Sequence, residues 1–186
     1  SVTLLERYHH LGGMASGGMV LVLDDMVNEG NEIVTTGIVS EFVERLEKQD
    51  AAVYPPKADH QTNWEMWQKW SRWGCIDFHK AMMPQPIIHA VAFDPDAWKR
   101  VSLDMVRETD VNLRTHSWFS DVVREGGKIT GVIAQTKLGR QVIRAKYVID
   151  ATGDLDVGVA AGADYTDGQF IVTTVFRIAN VDTDKA

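Results

Sequence analysis

The stretch Lys146-Tyr-Val-Ile-Asp-Ala-Thr-Gly-Asp154 constrains the fold more than any other part of the sequence. Its apolar run over 147–151 stops abruptly at Thr152-Gly153-Asp154. A continuous apolar run bounded by turn residues predicts a buried strand covered on both faces, as in a parallel sheet. The following segment, 156–163, is small and apolar, so it can lie close against a sheet or a ligand. Gly153 lets the backbone turn without a Cβ in the way. Ligands of open α/β sheets gather at such carboxyl ends of strands.

Composition limits the partners. The 186 residues carry a formal net charge of −7, which argues against nucleic acid or an anionic membrane as the main partner. No apolar run approaches membrane-spanning length. The single cysteine, Cys75, excludes an intramolecular disulfide and fits a reducing compartment, so a cytoplasmic location is expected. The chain opens on Ser1-Val-Thr-Leu-Leu, a strand already in stride with no initiator methionine, which points to sequence upstream.

From the front, 2–5 reads as a short apolar strand ending at Glu6. A carboxylate at the end of a parallel strand is where dinucleotide folds accept hydrogen bonds from a ribose; a solvated strand-end acid is the plain alternative. Leu11-Gly-Gly-Met-Ala-Ser-Gly-Gly-Met19 has four glycines in seven positions. Such a loop allows close backbone approach, and free N–H groups in it can cradle an anion or the polar edge of a ring. Residues 41–52 predict an amphipathic helix, with Phe42, Val43 and Leu46 on its apolar side. Trp64, Trp67, Trp70 and Trp73 recur every three residues, a fan of rings for core or subunit packing or for a substrate-facing wall. Lys69 and Arg72 lie on the same element, where they can meet an acidic substrate or simply be solvated. Residues 87–91 predict a strand. His79 and His89 are candidates for proton transfer or for structural roles. Nothing near Cys75 marks a nucleophile. Asp94-Pro95 reads as a helix start, with Asp as N-cap and Pro at the first helical position. Further on, 111–115, 118–124, 128–136 and 141–144 predict strands, the middle two joined as a hairpin across Glu125-Gly126-Gly127. Residues 170–178 alternate in a strand-like way.

These segments, in order, resemble the FAD-dependent oxidoreductase family, flavoproteins with a glutathione-reductase-like FAD domain. The resemblance rests on Leu4-Leu-Glu-Arg7, Leu11-Gly-Gly-Met-Ala-Ser-Gly-Gly18 and Gly37-Ile-Val-Ser-Glu-Phe-Val-Glu-Arg-Leu46. It continues in Phe93-Asp-Pro-Asp-Ala-Trp-Lys-Arg100, Gly126-Gly-Lys-Ile-Thr-Gly-Val132 and Val148-Ile-Asp-Ala-Thr-Gly-Asp154. The tryptophan-rich middle matches only loosely. The family opens with a strand, a Gly-x-Gly-x-x-Gly turn and a helix. No such turn occurs here, and Ser1 falls where the second strand should begin. The reading is therefore an internal piece of a longer flavoprotein, or a subunit completed by another polypeptide.

The resemblance implies an α/β fold: a partial Rossmann-like FAD-binding domain with a parallel central sheet and an antiparallel β-meander, plus a helical Trp-rich insertion. The expected boundaries are 1–52 and 93–165 for the FAD domain, 53–92 for the insertion and 166–186 for the start of a substrate domain. It implies that Glu6 binds the adenosine ribose, with Arg7 beside it reaching a phosphate. Gly12, Gly13, Ala15, Ser16, Gly17 and Gly18 would line the pyrophosphate and flavin side. The backbone near Phe119 would meet the adenine, and Ala151, Thr152, Gly153 and Asp154 would close over the cofactor. The implied activity is hydride transfer between a small organic substrate and the flavin of FAD, with no side chain assigned as acid or base. The alternatives are a nicotinamide-dependent dehydrogenase and a non-catalytic subunit without cofactor. Homo-oligomer formation and completion by a partner chain are both open; no metal is expected.

Overall fold

The longest helix starts where Asp94-Pro95 predicts. Asp94 Oδ1 accepts hydrogen bonds from the Asp96 and Ala97 N–H groups at 2.8 and 2.7 Å, satisfying donors that an uncapped first turn would leave bare. The structure, a computed structural model, describes residues 1–20, 22–169, 174–176, 178–182 and 185. In chain order its strands are β1 (Val2–Leu5), β2 (Val22–Leu23), β3 (Ala52–Val53), β4 (Val91–Phe93), β5 (Val111–Arg114), β6 (Trp118–Glu125), β7 (Lys128–Thr136) and β8 (Gly139–Arg144). Its helices are α1 (Gly13–Ser16), α2 (Ile38–Glu47), α3 (Trp64–Trp70), α4 (Pro95–Arg107) and α5 (Asp156–Ala160). The chain divides into two compact units, one of Ser1–His10 with Val106–Thr174 and one of Leu11–Met105 with Val175–Ala186.

In the first unit β1 pairs in parallel with β5, from Val2 opposite Val111 to Leu5 opposite Arg114. Strands β6, β7 and β8 form an antiparallel meander. The β6–β7 turn places Gly126 and Gly127 at φ +57° and +78°, the mirror-image turn whose twist matches a hairpin and which favours glycine at both positions. Alternation along these strands buries Val122, Val132 and Ala134. The expected hairpin and the mixed α/β class with a parallel pair and antiparallel sheets are thus present.

The second unit is built on a small antiparallel sheet in the order β2-β4-β3, with β4 central and buried along its whole length. Leu46, Ala51, Phe93, Ala97 and Val101 pack α2 and α4 against it. Trp70, Cys75, Ile76, Ile87, Ile88 and Ala90 form another cluster under α3. Fully burying a branched aliphatic side chain contributes about 1.5–3 kcal/mol, so Leu46, Val101, Ile76, Ile87 and Ile88 each stabilise the unit on that scale.

Several expectations are corrected. No described strand pairs with residues 147–151, and Tyr147 and Ile149 are 90% and 88% exposed instead of buried. An apolar pattern records that a strand needs cover, but a partner must supply its hydrogen bonds. Helix α2 begins at Ile38 and ends at Glu47, not 41–52, because Asp50 turns left-handed at φ +53° and Ala51 N–H donates back to the Leu46 carbonyl. The strand expected at 87–91 is instead β4 at Val91–Phe93; Ile87 makes one isolated bridge to Ile76. The strand expected over 170–178 falls largely outside the described residues.

Candidate functional site

Glu6 follows the last residue of β1, at the carboxyl end of the parallel pair. Its N–H donates to the Arg114 carbonyl and its carbonyl accepts from Ser117 N–H, so both adjoining segments fix its backbone. Carboxylate Oε1 accepts from Tyr8 N–H at 2.8 Å, while Oε2 has no partner among the described residues. One oxygen orients the side chain and the other stays available to a donor. The Arg7 guanidinium lies over the rings of Tyr8 and Trp118, 4.8 and 5.5 Å from their centroids. His9 stacks near His116 at 6.2 Å and Tyr8 near His10 at 5.8 Å. Phe119 sits in β6 opposite Ala134, just before a register shift that ends at Asp121.

The Thr152–Asp154 turn is organised by a residue that sequence reasoning passed over. Asp150 Oδ1 accepts from the Thr152 hydroxyl at 2.7 Å and from Thr152 N–H at 3.1 Å; Oδ2 accepts from Gly158 N–H at 2.9 Å. The Thr152 hydroxyl also accepts from Asp156 N–H at 3.0 Å, linking the turn to α5. Desolvation pushes the Asp150 carboxyl up, but the Thr152 hydroxyl and the Gly158, Thr152 and Val157 N–H groups outweigh it and hold its pKa below the ordinary value. The readable signal was Asp two residues before Thr, a pattern for side-chain turns. Gly153 stands at φ +97°, and a Cβ built on it would meet nothing within 4 Å. Ala151 and Asp154 are exposed beside it.

In the second unit the glycine-rich loop folds into α1, and its N–H groups are not all free as expected. Those of Ala15, Gly17 and Gly18 donate to Gly12, Gly13 and Met14 carbonyls at 2.9–3.0 Å. The glycines also differ in what demands them. A Cβ on Gly12 would lie 2.4 Å from Trp98 Nε1, and one on Gly18 would lie 2.8 Å from the Met14 carbonyl oxygen. Gly13, at φ +50°, faces open space. Ser16 is buried, with its hydroxyl 3.4 Å from the Gly13 carbonyl.

The sequence matches the family described as FAD dependent oxidoreductase over residues 1–186. The chain belongs to that family. Among solved structures, the THI4 protein of Thermovibrio ammonificans is similar at 18% identity, covering 86% of this chain and 51% of that one, with a TM-score of 0.45. The p-nitrophenol 4-monooxygenase PnpA from Pseudomonas putida DLL-E4 is similar at 14% identity, covering 87% and 36%, with a TM-score of 0.44. The glycerol-3-phosphate dehydrogenase from Bacillus halodurans, complexed with FAD, is similar at 14% identity, covering 77% and 27%, with a TM-score of 0.40. The chain therefore spans about half the length of these structures, or less. Curated protein sequences give no match.

For a member of the FAD dependent oxidoreductase family, the residues present fit the cofactor at two kinds of point. Glu6 offers a carboxylate oxygen of the type that binds a ribose diol. Gly13 and Gly153 offer backbone that a Cβ would cover. Some candidates outside this set have structural partners. Lys69 pairs with Asp59 at 2.6 Å and so is not set aside for a substrate anion. Trp70 is buried and donates its indole N–H to Asp59; Trp67 donates to Gln85; Trp64 and Trp73 are exposed. His79 lies 3.3 Å from Asp25 on the surface. His89 has its pKa lowered, by burial first and by His60 second. Cys75 is wholly buried, and burial pushes its thiol up to about 12. Among the described residues no cluster of His, Cys, Asp and Glu is suited to a metal ion, and no helix is long and apolar enough to cross a membrane.

Proposed function

We propose that the protein is a flavoprotein oxidoreductase that passes a hydride between a small organic substrate and FAD. The observation that carries this reading is the half-committed carboxylate of Glu6 at the end of a parallel strand. When bound, the flavin supplies the hydride chemistry, and the protein supplies binding, orientation and electrostatics. Glu6 Oε2 accepts from the adenosine ribose, with Arg7 beside it to meet a phosphate. The backbone beside Phe119 borders the adenine. Gly12, Gly13, Ala15, Ser16, Gly17 and Gly18 line the pyrophosphate and flavin side, with Gly13 giving the closest backbone approach. Ala151, Thr152, Gly153 and Asp154 close over the cofactor, their turn held by Asp150. Family membership favours FAD over a nicotinamide, although Glu6 suits the ribose of either.

The buried, lone Cys75 supports a reducing, cytoplasmic setting. The assembly is a homo-oligomer or a complex with a polypeptide that completes the FAD domain, and the exposed Trp64 and Trp73 rings offer apolar contact surface for either. The test is the visible spectrum of the purified full-length protein after incubation with FAD and removal of free cofactor. Retained flavin absorbance supports the reading. A colourless, folded protein overturns it.

A further inference from the structure

Gly12 and Trp98 are 86 positions apart, yet the first cannot carry a side chain because of the second. A Cβ on Gly12 would lie 2.4 Å from Trp98 Nε1, 2.6 Å from Trp98 Cδ1 and 2.9 Å from Ser16 Oγ, all well inside van der Waals contact. Gly12 also stands at φ +107°, a left-handed conformation that glycine adopts freely. The polypeptide therefore lies directly on the indole edge as it enters α1. The indole is itself braced: Phe42 of α2 and Phe93 of β4 pack on it with ring centroids at 4.3 and 4.5 Å. The backbone beneath it is held by the Trp98 N–H bond to the Asp94 carbonyl and by the Ser102 hydroxyl bonded to the Trp98 carbonyl at 2.7 Å. Ala15, one turn on, packs against the same cluster.

We infer that Trp98 is a positioning residue for the glycine loop: its indole is the floor that sets the loop's path and so turns the open face of Gly13 outward. This rests on the proposal that the loop lines bound FAD. A flat, rigid ring suits the role, because a floppy aliphatic side chain would let Gly12 sink and the following glycines rotate. The protein's own packing thus demands glycine at position 12, while Gly13 keeps an open backbone face.

The test uses the full-length protein with Trp98→Phe, Trp98→Leu and, as a control, Phe42→Leu, which removes a ring from the same cluster. FAD affinity is measured by flavin fluorescence titration, global stability by thermal melting, and loop conformation by glycine amide and α-proton shifts in the cofactor-free protein. Trp98→Leu is expected to weaken FAD at least about tenfold more than Phe42→Leu, to an extent its melting temperature does not account for. It is expected to move the Gly12 and Gly13 signals, with Trp98→Phe intermediate in both. Equal FAD affinity in Trp98→Leu and Phe42→Leu overturns the inference. If the unmodified protein binds no FAD, the functional reading fails by itself. The glycine signals then decide the floor role, and unchanged Gly12 and Gly13 shifts in Trp98→Leu overturn it. If Trp98→Leu does not fold, Trp98→Phe decides on the same two readouts.

Discussion

Asn31 and His60 are joined by a 3.0 Å hydrogen bond between amide Nδ2 and ring Nδ1. The amide has only one orientation that satisfies its other neighbours: Oδ1 accepts from His89 N–H at 3.4 Å, and Nδ2 donates to the Ile87 carbonyl at 3.3 Å. His60 Nδ1 must therefore accept, which leaves Nε2–H to donate to the Pro55 carbonyl at 3.3 Å. These bonds tie three loop segments together. Asn31 itself sits at φ +58°, which asparagine tolerates better than most residues.

His89, whose N–H this latch holds, has a pKa lowered from 6.5 by burial and then by His60. The unfolded chain therefore binds its proton more readily than the folded one. The sign follows: this contribution to stability is complete above about pH 6.5 and is lost as pH falls through the folded pKa. Melting temperature should fall on acidification through the mildly acidic range, and less steeply in His89→Gln. Parallel profiles for the two proteins would remove His89 as the cause.

Replacing Asp150 by Ala should loosen the turn before α5. The loss expected is about 1 kcal/mol, the size of a lost helix-cap bond. Asp150→Asn should lose less, since its amide oxygen still accepts. Urea unfolding of the three proteins measures this; an unshifted midpoint in Asp150→Ala would mean the bonds contribute nothing net.

Glu6→Ala should weaken FAD retention by roughly 1.5–3 kcal/mol, the usual worth of a hydrogen bond to a charged group. Titration of the cofactor-free full-length protein checks it. Unchanged affinity would end the ribose role.

Gly153→Val should reduce bound FAD by covering the open backbone face. A branched residue at φ +97° is also strained by about 1–2 kcal/mol, so cofactor content must be compared with thermal stability. A variant that purifies fully yellow would show that nothing approaches this face.

Cys75 should resist iodoacetamide in the native protein at neutral pH and react once the chain is unfolded, because burial both hides the thiol and raises its pKa to about 12. Rapid native labelling, followed by mass spectrometry, would contradict the packing of that cluster.

What the sequence determined by itself was local. Asp94-Pro95 starts a helix, Gly126-Gly127 turns a hairpin, the Phe42, Val43 and Leu46 stripe buries one side of α2, and Glu6 ends a strand. Each depends on neighbours within a turn or two, where backbone sterics and side-chain period act. The tertiary structure decided what depends on contacts between distant residues. It alone gave Trp70 rather than Trp64 to the core, tied Asn31 to His60, and reserved position 12 for glycine on account of Trp98. It also left Tyr147 and Ile149 uncovered, although their pattern reads as a buried strand. A hydrophobic pattern states that a segment needs a partner; only the three-dimensional arrangement supplies one, because the hydrogen bonds and close contacts that complete it come from elsewhere in the chain.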